Sequence, residues 1–259
     1  MTYALLLFSV LAAALTVLWL KPSDRNKLKL LIAFSGAYLL SITALHLLPE
    51  VFIGNDLEER IPADQRHARG TYFGSFVLIG FFIQVMLEYL SGGIEHGHAH
   101  THRSAGLPVG LMIGLCLHAF LEGMPLGGGD AGHSHDGVEH SHGHSHGVEP
   151  LLLGIVLHKY PVAMVFLAML LNSGLGKPKA FGLLAIFAAM APLGTLLSGV
   201  EVVGQFHRES LAIVIGIFLH VSTTILFESS EGHRFNAYKM MAIAVGLALA
   251  AASMLLNAH

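Results

Sequence analysis

Two apolar stretches decide the reading of this chain: Leu115-Cys116-Leu117-His118-Ala119-Phe120-Leu121-Glu122-Gly123 and Leu157-His158-Lys159-Tyr160-Pro161. Each lies within a run hydrophobic enough to cross a bilayer, whose ~30 Å core takes about 20 apolar residues per helix. On a helix, His118 and Glu122 are one turn apart and share a face. Ionisable side chains are costly in hydrocarbon and mark ion or substrate paths. His118, Glu122 and His158 therefore read as a buried site for a divalent metal ion.

The surrounding composition fits this setting. The 259 residues are 54% hydrophobic and 12% charged, where a soluble domain carries about 25% charged residues. The expected fold class is all-α: a polytopic membrane protein of eight transmembrane helices, one transmembrane domain over 1–259. The expected spans are 3–20, 29–52, 70–90, 107–127, 150–172, 180–200, 210–228 and 238–256. Basic residues orient them. Alternate connections carry Lys21, Arg25, Lys27, Lys29, Arg103, Lys177, Lys179, Arg234 and Lys239, and the opposite set only Arg60, Arg66, Arg69 and Arg208. The richer set is expected in the cytoplasm, which leaves both termini outside; a bacterial inner membrane is the expected location. A net charge of -3 with no basic patch gives no support to a nucleic-acid partner. The expected partners are a divalent metal ion, the lipid bilayer and a second copy of the chain in a homodimer.

Cys116 is the sole cysteine, so neither an intramolecular disulfide nor a cysteine-based zinc site is available. Histidine, at eighteen copies, supplies the ligand capacity. Two tracts concentrate it. Residues 93–104 hold His96, His98, His100 and His102 on the expected cytoplasmic side. Residues 128–149 hold His133, His135, His140, His142, His144 and His146 on the expected outer side. Such tracts are compositional metal-binding signals. Their glycine and serine content cannot build a core, so the outer tract is expected to be disordered without metal. Their irregular spacing suits an accessory role in metal capture.

Helix rise lets depth be read along the spans. At ~1.5 Å per residue, His118 falls roughly 13 Å and His158 roughly 12 Å below the outer surface, on antiparallel neighbours. Two imidazoles and a carboxylate suit Zn²⁺, and also Fe²⁺, Mn²⁺ or Cd²⁺, as transported substrate; no cofactor is expected. Pro161 cannot donate to the carbonyl of Leu157, which frees that oxygen near the site. Lys159 must be paired or neutral at this depth, and Glu122 is its expected counter-ion. Further polar residues form a ladder: His46 with Glu50, His220 with Glu228, then Glu231 and His233. Gln84 and Glu88, in the third span, read as packing and interface residues.

At these residues the chain resembles the ZIP (Zrt/Irt-like) family of divalent metal transporters. The resemblance is carried by His118-Ala119-Phe120-Leu121-Glu122-Gly123, His158-Lys159-Tyr160-Pro161 and His46-Leu47-Leu48-Pro49-Glu50. It implies a bundle of the first, fourth, fifth and sixth spans around the metal, the other spans as scaffold, and inward transport without enzymatic activity. The chain departs from the family's two-metal pattern. Ala119, Lys159, Val162 and Ala191 stand where relatives carry donors, so one site is expected, with the Lys159 charge in place of a second metal. No phosphate-binding Gly-x-x-x-x-Gly-Lys-[Ser/Thr] loop is present, which argues for a secondary transporter. Two other classes share the ligand set: an intramembrane zinc hydrolase, which would need a further carboxylate as general base, and a metal sensor that binds without conducting.

Overall fold

The structure, a computed structural model, describes residues 1–20, 25–53, 63–91, 109–127, 148–228 and 237–257. The elements in order are α1 (Thr2–Leu20), α2 (Arg25–Ile42), a π-helical turn (Thr43–Leu47), α3 (Leu48–Phe52), α4 (Ala63–Ser91), α5 (Val109–Gly123), a 3-10 turn (Met124–Leu126), α6 (Val148–Asn172), α7 (Lys177–Ser198), α8 (Glu201–Gly204), α9 (His207–Glu228) and α10 (Ala237–Asn257). Among the described residues eight helical segments are long and apolar enough to cross a membrane. They coincide with the expected spans, except that the third, sixth and seventh begin three to five residues earlier, at Gln65, Lys177 and His207. The His-rich tracts at 93–104 and 128–147 lie outside the described residues. So do Glu231 and His233, and the side chain of Glu228.

Two groups of helices make up the bundle. Helix α1 packs on α6 and α5 on α7, and contacts of α7 with α1 and α6 join these four. They are the first, fourth, fifth and sixth spans. Helix α4 packs on α9 and α2 on α10, with α2 also against α9. Contacts of α2 with α6 and of α4 with α5 hold the two groups together. With lipid tails as apolar as leucine, close van der Waals approach and buried hydrogen bonds take the place of a hydrophobic drive between helices.

The α5–α7 contact shows that approach. A Cβ on Gly123 would sit 2.1 Å from the Ala191 carbonyl oxygen, and one on Gly194 would sit 2.1 Å from that of Phe120. Only glycine lets these backbones meet. Thr195 Oγ1 seals the contact by donating to the Gly123 carbonyl at 2.9 Å. On the other side, Tyr160 and Thr16 share a 2.8 Å hydroxyl bond that ties α6 to α1.

The second span holds a feature that periodicity did not anticipate. Its helix widens into a π turn at Thr43–Leu47, where the Leu48 N–H donates to the Thr43 carbonyl five residues back. Pro49 accounts for it: the ring has no N–H and crowds the carbonyl of Leu45, so the regular ladder cannot run through. His46 lies within this turn.

Candidate metal centre

Helices α5 and α6 bring His118, Glu122 and His158 together in the interior, at 2%, 2% and 1% exposure. One ligand atom from each lies within 4.8 Å of the others, the one such group of three found among the described residues. His118 and Glu122 sit one turn apart on α5, with Nε2 and Oε1 separated by 3.0 Å. The His118 and His158 rings face each other at 6.1 Å between centroids, steeply tilted. An ion bonded to all three at ~2.1 Å would draw the ligand atoms to roughly 3.4 Å apart. Beyond His118, Glu122 Oε1 has no partner among the described residues, an expensive condition for a buried carboxylate unless a cation completes it.

Ala119, Ala191 and Val162 are buried at 0%, 0% and 3%. Lys159 is buried at 1% and does not snorkel outward. Its Nζ has no hydrogen-bond partner among the described residues; it lies 4.5 Å over the Phe187 ring of α7. No direct ion pair joins it to Glu122, so any compensation between the two charges acts through space. Cys116, on the same helix as His118, is half-buried and outside the triad.

The remaining predicted residues fall into two places. His46 and Glu50 face each other at 3.8 Å, with Glu50 well exposed. The start of α9 docks beside them: Arg208 Nη2 donates to the Val51 carbonyl at 2.6 Å. His220 lies across the α4–α9 contact, where its Nε2 is bonded to Glu88 of α4 and its ring stacks edge-on to Phe81. The sequence reading paired His220 with Glu228 on its own helix. The side chain of Glu228 lies outside the described residues; the partner the structure shows for His220 is Glu88, from a helix that spacing within α9 cannot reveal.

Gln84 likewise gains a partner on another helix. Read as a packing residue, it is fully buried and its Oε1 lies 2.9 Å from Nδ1 of His118. Its only sequence signal was an amide in the middle of an apolar span. That Gln84 and Glu88 are four residues apart on α4 could have marked a polar face shared with two neighbours.

No family model matches the chain. The chain is similar to zinc transporter ZIP9-B of Xenopus laevis, 24% identical over 220 residues, which are 78% of this chain and 69% of that protein. It is similar to zinc transporter ZIP9-A of Xenopus laevis and to zinc transporter ZIP9 of Xenopus tropicalis, each 26% identical over 165 residues. Those matches take in 59% of this chain and 50% of each relative, so the chain spans about half the length of these two. The resemblance read from the motifs is borne out: the relatives are zinc transporters by name, and among the described residues of this membrane protein eight helices are long and apolar enough to span. The expected bacterial inner membrane gains no support from relatives that come from frogs.

Proposed function

We propose that this chain is a secondary transporter of the ZIP family that carries a divalent metal ion, zinc foremost, into the cytosol by way of His118, Glu122 and His158. The buried His/Glu/His group inside an eight-span bundle carries the reading. Two imidazoles and a carboxylate give a set that zinc favours, and Fe²⁺, Mn²⁺ and Cd²⁺ also accept. Three protein ligands leave a coordination position through which an ion is exchanged. His46 and Glu50 form the approach on one side, with the His-rich tracts as accessory capture. His220, held by Glu88, lies further along, ahead of Glu228, Glu231 and His233. Lys159 supplies a fixed positive charge beside the triad, where a second ion would find no donor in Ala119, Val162 or Ala191.

A hydrolase built on the same ligands would need another carboxylate at the metal to activate water. Among the described residues no further acidic side chain joins the triad, which favours carriage over catalysis. The test is purified full-length protein in liposomes that enclose a zinc-responsive dye. Saturable zinc entry is expected, and competition by Fe²⁺, Mn²⁺ and Cd²⁺ ranks the cargo. Tight zinc binding without flux would make the chain a sensor and refute the transport reading.

A further inference from the structure

We infer that Gln84 is a positioning residue for the metal centre: from α4 it fixes the tautomer and ring orientation of His118, so that Nε2 presents its lone pair to the ion. The inference rests on the metal site proposed above and extends it to a residue outside the ligand set.

The geometry is specific. Gln84 Oε1 lies 2.9 Å from His118 Nδ1, and both side chains are buried. An amide oxygen only accepts hydrogen bonds, so the proton between the two atoms belongs to Nδ1. In a neutral imidazole that leaves Nε2 as the lone-pair nitrogen. Nε2 is the atom turned toward Glu122 Oε1, and so toward the triad. Histidines that bind metal through one nitrogen commonly donate the other N–H to an oxygen acceptor, which holds the ring and raises its basicity. Gln84 gives His118 that acceptor without adding charge, and a second carboxylate at this depth would be costly.

The rest of α4 argues against plain packing. One turn on, Glu88 bonds His220 of α9. Helix α4 thus offers an amide and a carboxylate one turn apart to imidazoles on two neighbours, Gln84 to α5 and Glu88 to α9. A leucine would fill the position of Gln84 equally well if packing were its whole task. The amide supplies His118 with an acceptor on the side away from the ion.

The experiment uses the purified full chain in micelles, with zinc affinity measured by competition against a chromophoric chelator. The signal of the central site is the difference from His118→Ala, which keeps both His-rich tracts. Gln84→Leu conserves volume and removes the acceptor; zinc affinity is expected to fall by about 10- to 100-fold. Gln84→Glu restores an acceptor and is expected to recover wild-type affinity or exceed it. A residue important only for packing would show the reverse order, since leucine suits an apolar site and a buried acid does not. If Gln84→Leu fails to fold, Gln84→Asn, which draws the acceptor back by one methylene, takes its place and is expected to weaken binding. Wild-type affinity in the acceptor-free variant, or no recovery in Gln84→Glu, overturns the positioning role. Tight binding that survives His118→Ala overturns the underlying site instead.

Discussion

Gly123→Ala is the change whose consequence can be worked furthest from the structure. The new Cβ would sit 2.1 Å from the Ala191 carbonyl oxygen and 2.8 Å from its carbonyl carbon. An ordinary contact begins near 3.4 Å, so α5 and α7 must part by about 1.3 Å, because the obstacle is backbone and cannot rotate away. The Thr195 hydroxyl bond to the Gly123 carbonyl, now 2.9 Å, lies on the same seam and stretches with it. Alanine gains about 1 kcal/mol of helix propensity over glycine, and overpacking costs about 1–3 kcal/mol. Against rigid backbone the cost sits at the upper end, so a net loss of roughly 1–2 kcal/mol is expected. Glu122 is the preceding residue and moves with the helix. Metal–ligand distances tolerate only about 0.2 Å, so zinc affinity should fall by at least about tenfold, the scale of a disturbed metal surround. Gly182→Ala, on α7 with nothing within 4 Å of the added Cβ, is the control and should be neutral or stabilise by about 0.5–1 kcal/mol. Thermal unfolding in micelles and zinc uptake in liposomes read both variants. A Gly123→Ala protein with wild-type melting and uptake would refute the claim that this backbone contact sets the site.

Three further outcomes follow from the same geometry. His118→Ala and His158→Ala should each abolish zinc uptake and weaken central binding; normal uptake by either at limiting zinc would remove it from the ligand set. Deletion of residues 132–147 should leave uptake active while raising the zinc concentration needed for half-maximal rate, and total loss in a correctly inserted deletion would make the tract part of the path. Lys159→Met should destabilise the fold, by up to about 5 kcal/mol, because it removes the cation that offsets buried Glu122 and leaves that charge less compensated. Its uptake should fall, and unchanged stability with unchanged transport would take Lys159 out of the machinery.

What the sequence disclosed and what it withheld divide along a physical line. Span number and extent were legible because a bilayer imposes one length and one polarity on every crossing segment. The His118–Glu122 pairing was legible because i,i+4 residues share a face whatever the helix packs against. His158 could be added because antiparallel neighbours at equal depth must pass each other. The π turn at Thr43–Leu47 was less accessible: Pro49 signals a break in the ladder, but tertiary packing decides whether the break becomes a kink, a tighter turn or a wider one.

Lateral partners were the part spacing could not supply. Periodicity along α9 assigns His220 a face but not the helix that face meets, so a partner on the same helix was the natural choice. The bundle sets α4 against that face, and Glu88 is the partner it brings to His220. The same gap hid Gln84, whose significance lies wholly in its contact with α5. A polar residue inside an apolar span is therefore best read as half of a pair whose other half sits on an unidentified helix, because lipid offers no partner and an unmet polar group there is costly. On that reading α4, with an amide and a carboxylate one turn apart, must touch two helices with complementary groups. His118, buried on α5, and His220, part-buried on α9, are those groups.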